Sequence, residues 1–395
     1  RLINIGEALS QQYDVVVTNP PYMGASGMNA RLAEYVKSNY PNTKSDMSTV
    51  FMEKTVKMCK KTGYMSMINI PVWMFLSSYE KLRESLIAQD TFANMVHFGR
   101  GVFGSDFGTT AFVIAKSNIP GYKGTYCRLF EKQGAVDSVE TKEKWFLEGK
   151  GRFVADQSNF SKIPGSPVAY WVSKGLLSAF ATGKSLGDIA LARNGMKTGE
   201  NGRFVRLWWE VILQGFNPTA CDWKEASSSG AKWFPYNKGG EFRKWYGNND
   251  CVVNWQNEGD EIFNHAKADK RNVQDYPLEL KFKPSASWSL VTSGQPAFRY
   301  KENNLSDIAG MSFFTEKQEL LILLGFCNSK IALEILRILA PTINFQAGDI
   351  GRLPIVDYGV ETETIRGLVS SNIDESTTDW DSSEVSWDFK RHPLV

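Results

Sequence analysis

The chain has 395 residues, 42% of them hydrophobic, enough to bury at least one full core and to predict two or three domains. With 45 Lys and Arg against 43 Asp and Glu the net charge is near zero, so contact with nucleic acid has to be a local patch rather than a global attraction. The five cysteines form neither a CxxC nor a Cys/His cluster with ligand spacing, and the most apolar stretch, Tyr64–Leu76, is broken by Asn69 and Pro71 and is far shorter than the ~20 residues that span a bilayer; a reduced cytoplasmic protein without structural zinc or a membrane anchor is expected.

The chain opens on Arg1, without a Met or a signal peptide, and soon enters an apolar strand; this reads as an internal start with sequence missing upstream. Asp14-Val-Val-Val-Thr18 is a β-branched run suited to a buried parallel strand, and it delivers the chain directly into Asn19-Pro20-Pro21-Tyr22. Ser45 or Asp46 can cap a helix carrying Met47, Phe51 and Met58 at helical spacing, with Gly63 ending it. A strand over Tyr64–Ile70, a helix over Tyr79–Ala88, and strands at Met95–Phe98 and Thr110–Lys116 follow, an α/β order. Only part of a Rossmann-like sheet is predicted, because no GxG-type turn precedes Asp14.

Beyond about residue 160 the composition changes, with tryptophans interleaved among Gly, Asn, Lys and Arg. The pattern predicts a catalytic part over 1–150, a mixed, mainly β domain over 151–357 with helices at 316–327 and 329–339, and an acidic, extended or frayed tail over 358–395.

Asn-Pro-Pro-Tyr carries specific chemistry. The Asn19 side-chain oxygen and the Pro20 carbonyl can each accept from an exocyclic amino group, holding its lone pair toward a methyl donor. Consecutive prolines fix φ and remove competing N–H groups, so these acceptors are preset. Tyr22 can stack on an extruded base, offsetting part of the roughly few kcal/mol that flipping costs. Phe103, with Phe107 as second choice, is the candidate for the opposite face of the clamp. A rigid Pro-Pro turn after a strand, or a Phe packed under a loop, is the bland reading of the same residues.

DVVVTNPPY, GYMSMINIPVWMF and VFGSDFGTTAFVIAK resemble motifs IV, VI and VIII of the gamma-type adenine methyltransferases, in that order. ARNGMKTGENGRFVRLWWEV, KWFPYNKGGEFRKWYGN and LAPTINFQAGDIGRLPI further resemble the PglX-type adenine-specific methyltransferases of BREX phage-resistance systems, related to single-chain restriction-modification enzymes. The resemblance covers nearly all of the chain. It implies a bacterial enzyme that uses S-adenosylmethionine to form N6-methyladenine in double-stranded DNA, with other phage-defence proteins as partners. The family's glycine-rich donor motif has no counterpart here, so this chain by itself is expected not to methylate.

For recognition, Arg193, Asn194, Lys197, Thr198 and Arg203 sit in a glycine-rich loop suited to phosphates and base edges. Trp233, Lys238 and Arg243 interleave aromatics with cations; Arg299, Asn344 and Gln346 can each reach a base. Each has a structural reading as a solvated loop or core residue. Asp250 with Glu279-Leu280-Lys281 imitates a nuclease pattern but reads as an ordinary strand, and His97, His265 and His392 are too scattered for a metal site. Two other functions compete: a non-catalytic DNA-recognition module, and a protein-glutamine methyltransferase, since the same tetrapeptide suits a side-chain amide.

Overall fold

Helix α1 (Leu2–Ser10) leads into β1 (Tyr13–Thr18), one edge of a sheet in which Val15 and Val17 remain exposed. The computed structural model describes residues 2–392 except 105, 106, 132, 133, 271, 272, 293, 342 and 358. Helix α2 (Ala30–Asn39) is capped by Asn29, and α3 (Met47–Lys57) by Asp46, whose carboxylate accepts from the Ser48 amide at 2.8 Å. After β2 (Cys59–Asn69) come α4 (Glu80–Gln89), β3 (Thr91–Gly99), β4 (Thr109–Ala115), β5 (Lys123–Arg128), α5 (Val139–Glu148) and β6 (Arg152–Asp156).

The strand order is β1-β2-β4-β3-β5-β6. β1 runs parallel to β2 and β3 parallel to β5, while β4 is antiparallel to both β2 and β3; the carboxyl ends of β1, β2, β3 and β5 therefore share one edge. Alternation along β2 sends Met65 and Met67 into a core with Trp73, Phe92 and Phe112. Gly63 does not end a helix: it lies inside β2, where a Cβ would come within 2.8 Å of the Asp14 carbonyl, so only glycine lets β1 approach this closely.

The first compact unit extends to Ala181, about thirty residues past the expected boundary. The reason is a set of long-range bonds that composition does not reveal. β6 pairs with β5, and the Gln157 side chain accepts from the Phe92 amide and donates to the carbonyls of Ile87 and Asp90. Arg83, buried, donates to the carbonyls of Trp73, Leu76 and Gly165, fixing the turn after β2. Helix α6 (Lys174–Thr182) runs to the boundary.

The second unit, Thr182–Val395, is mixed. It begins with β7 (Lys184–Ser185), α7 (Leu186–Ile189), β8 (Leu191–Arg193), α8 (Asn201–Phe204), β9 (Val205–Leu207) and α9 (Trp223–Ser228). Next are β10 (Trp233–Asn237), β11 (Cys251–Asn254), α10 (Asp260–Ala268), β12 (Ser285–Ser289), β13 (Phe298–Lys301), β14 (Leu305–Ser306) and β15 (Gly310–Phe314). The chain closes with α11 (Lys317–Cys327), α12 (Lys330–Leu339), α13 (Ala347–Gly351), β16 (Pro354–Ile355) and α14 (Thr362–Asp381). Among the described residues the strands form two four-stranded sheets, β14-β10-β11-β9 and β13-β12-β15-β8, and a small β16-β7 pair. Trp255 and Trp288 are fully buried, Trp255 edge-on to Phe282 at 5.3 Å, so part of the tryptophan enrichment is core.

The tail is not frayed. α14 packs on α11, where the Val369 side chain occupies the space a Cβ on Gly325 would need, 2.7 Å away. Trp380 is buried under the Arg243 guanidinium, which also pairs with Asp379 at 2.8 Å. A composition of Ser, Asp and Glu hides two apolar anchors, Val369 and Trp380, eleven residues apart and so on the same face of α14.

Candidate active site

Asn19-Pro20-Pro21-Tyr22 leaves the carboxyl end of β1, with Pro20 buried and Asn19 exposed. The Tyr22 hydroxyl lies 3.0 Å from Asn19 Oδ1 and 3.4 Å from the Ile68 carbonyl at the end of β2. It has one proton, so the shorter bond to Asn19 dominates and fixes the amide orientation, leaving one Oδ1 lone pair for a ligand. Burial raises the Tyr22 pKa, which keeps the hydroxyl a donor.

The second aromatic beside this turn is Phe107, whose ring stands edge-on to Tyr22 at 5.5 Å. Of the two candidate phenylalanines it is Phe107 that touches Tyr22. Phe103 is 65% exposed and adopts φ +64°, a conformation rare for a bulky residue. Ser105 and Asp106 of this segment lie outside the described residues. The loop is held from behind: a Cβ on Gly101 would come within 2.8 Å of Val136, and Arg100 donates to the Gly134 carbonyl at 2.9 Å. His97, at the end of β3, is buried against Phe75 and Phe130; desolvation, then the nearby Arg128 charge, push its pKa down to about 3, so it is neutral.

In the second unit, a cleft of about 390 Å³ brings Arg193 and Asn194 of the glycine-rich loop together with Gln346, which lies 153 positions beyond Arg193 and which sequence reading names apart from that loop. Asn344 is exposed beside it in sequence, and Lys197 is partly exposed. The other expected contacts are used internally. Arg299 is buried, donating to the Arg243 carbonyl and Ser289, and its desolvation lowers its pKa to about 10; it cannot face DNA as expected. Thr198 is buried and bonded to Asn201, Lys238 pairs with Asp307 at 2.8 Å, and Trp233 is half-buried in β10. Arg243 is tied to Asp379 and Trp380 as above. Lys281, of the nuclease-like pattern, is buried against Asp275.

Arg203 bonds Glu261 and reaches His265 Nδ1 at 3.3 Å. Because a guanidinium only donates, Nδ1 accepts and the imidazole proton sits on Nε2, 2.6 Å from Glu200. His265, Glu200 and Asp269 do come together, contrary to the scattering seen in sequence, but in this tautomer the imidazole offers a proton rather than a lone pair to the carboxylates.

Sequence reading misses Gln274 and Asp275, which complete the cleft. No local signal marks them; they arrive through the bridge between Lys197 and Gln274.

The Eco57I restriction-modification methylase family matches residues 3–103, the span that holds Asn19–Tyr22 and reaches Phe103. The chain is 38% identical over its whole length to the adenine-specific methyltransferase PglX of Lacticaseibacillus casei (strain Zhang). The PglX-type resemblance holds along the full chain. The adenine-specific methyltransferase BrxX of Escherichia coli O9:H4 (strain HS) is 35% identical over 98% of the chain. The chain spans about a third of these relatives, 33% of PglX and 31% of BrxX. In fold it is similar to the type IIL restriction-modification enzyme MmeI, solved with DNA, at a TM-score of 0.61 and 11% identity, covering 96% of this chain and 52% of MmeI. That likeness covers both units, so the α/β sheet and the mixed second unit recur in a restriction-modification enzyme.

Proposed function

We propose that this chain forms the base-accepting and sequence-reading part of a DNA methyltransferase that transfers a methyl group from S-adenosylmethionine to N6 of an adenine flipped out of double-stranded DNA. The observation that carries this is the turn at the end of β1, where Tyr22 orients Asn19 and Phe107 stands against Tyr22. Adenine N6 donates its two hydrogens to Asn19 Oδ1 and the Pro20 carbonyl. This turns the nitrogen lone pair out of the ring plane toward the methyl carbon and stabilises the positive charge that grows on nitrogen. Tyr22 covers one face of the base, and Phe107 or Phe103 closes the site.

The donor supplies an electrophilic methyl group when bound. Val15 and Val17, which share one face of β1, are exposed and apolar, and they offer no polar group to hold a donor there. The contribution proposed for the residues of the Asn19–Tyr22 turn is the acceptor half of the reaction. Arg193, Asn194, Lys197, Asn344 and Gln346 remain the residues proposed to face DNA, and other phage-defence proteins are proposed partners. The test is labelled-methyl transfer to unmethylated DNA by the protein that carries this chain, with Asn19→Ala alongside. N6-methyladenine lost on substitution supports the reading; undiminished incorporation by Asn19→Ala would refute it, and methyl transfer to protein but not DNA would favour a glutamine methyltransferase.

A further inference from the structure

The cleft bounded by the end of β8, the segment 274–277 and the start of α13 carries polar groups that the rest of the second unit leaves unused. Gln274 is exposed, and among the described residues its side-chain amide makes no hydrogen bond, although its backbone is pinned: the Gln274 carbonyl accepts from the Lys197 amide at 2.8 Å. The adjoining residues are anchored in the core. Asp275 binds the buried Lys281, and the Tyr276 hydroxyl accepts from the Ser306 amide at 3.0 Å. Across the cleft, the segment bearing Gln346 is fixed by Trp288, whose indole donates to the Phe345 carbonyl at 2.8 Å. Arg193 uses Nη1 on the neighbouring Ala192 carbonyl at 3.0 Å, which leaves the rest of its guanidinium for the cleft.

These groups suit a base edge better than a phosphate. A phosphate offers only acceptors, so the amide oxygens of Asn194, Gln274 and Gln346 would go unused and the Asp275 carboxylate would repel it. Amides instead present a donor and an acceptor side by side, the pattern complementary to adenine N6 and N7, and a guanidinium matches guanine O6 and N7. The backbones that bear these side chains are held from behind, which fixes where the amides project from and leaves the Gln274 tip available to a ligand.

We propose that this cleft takes the hydrogen-bonding edge of one base pair of duplex DNA and that Gln274 is a specificity-determining residue there, with Arg193 and Gln346. The proposal rests on reading the chain as part of a DNA methyltransferase. The test is selection from randomised duplexes by the protein that carries this chain, with the bound pool sequenced for wild type, Gln274→Ala and Gly348→Leu. A Cβ at Gly348 meets nothing within 4 Å and φ there is not positive, so Gly348→Leu adds bulk to the cleft lining at a position whose backbone accepts a side chain. The expected result is that Gln274→Ala relaxes the preference at one position by about 5- to 150-fold, and that Gly348→Leu relaxes the same position. Unchanged preference at every position in either variant overturns the proposal, as does a wild type that selects no sequence. A uniform loss of affinity across sequences in Gln274→Ala also overturns it, in favour of a phosphate contact. Methyl incorporation by the wild type and by Asn19→Ala is measured on the same pools; a wild type that selects a sequence but incorporates no methyl group refutes methyl transfer and supports the cleft as a reader.

Discussion

Replacing Tyr22 by Phe isolates the hydroxyl from the ring. The hydroxyl orients Asn19 through one bond of 3.0 Å, and a net hydrogen bond of this kind is worth about 1 kcal/mol. If the catalytic value of the hydroxyl is to hold the Asn19 amide in place, Tyr22→Phe lowers the methyl-transfer rate about fivefold and leaves DNA affinity unchanged. Tyr22→Ala also removes the stacking surface, worth about 1–3 kcal/mol, and the edge contact with Phe107. It should lower the rate by a further 5- to 150-fold and weaken binding of the flipped base. Single-turnover methylation of a duplex, with fluorescence of a base analogue at the target position to follow extrusion, separates the two effects. Wild-type rates in Tyr22→Phe, or a defect in Tyr22→Phe as deep as in Tyr22→Ala, would refute the division of labour between hydroxyl and ring.

Phe107→Ala should impair methylation more than Phe103→Ala, by about tenfold, because Phe107 touches Tyr22; base-analogue fluorescence and the same rates check this, and the opposite order would restore Phe103 as the principal clamp. His97 is held neutral with a pKa of about 3 when folded against 6.5 when exposed, so its contribution to stability is present above pH 6.5 and is lost as pH falls toward 3, by about 1.4 kcal/mol per pH unit. Denaturant unfolding at pH 7 and pH 5 should show that slope, and His97→Gln should be shallower by that amount. Gly325→Leu should detach α14 and cost about 1–3 kcal/mol through overpacking, seen as a lower unfolding midpoint and as proteolysis within 362–381; full protection of that helix would contradict the docking described.

The turn after β1 was legible because it is local: four consecutive residues set their own backbone, and the β-branched run Asp14–Thr18 announced the strand beneath them, although that strand lies at the sheet edge with Val15 and Val17 exposed rather than buried. β3 and β4 followed from alternation, and α3 from the Asp46 cap. The later boundary and the helical tail were not legible, because each depends on contacts between distant residues. Gln157 satisfies backbone groups about seventy positions away, and α14 is held by Val369 against Gly325 and Trp380 beneath Arg243.

The same distinction governs the cations. Arg83, Lys281, Arg299 and Lys301 are buried, and Lys301 donates to the carbonyls of Gly247 and Asn248, so a positive charge in this chain often serves to satisfy backbone groups where the chain turns. A run of Arg and Lys among aromatics consequently says little about which surface meets DNA. What does discriminate is a side chain that is exposed while its backbone is pinned, the condition Gln274 meets and Arg299 fails. In the proposed reader cleft it is the uncharged amides, each offering a donor and an acceptor side by side, that would carry discrimination between base edges.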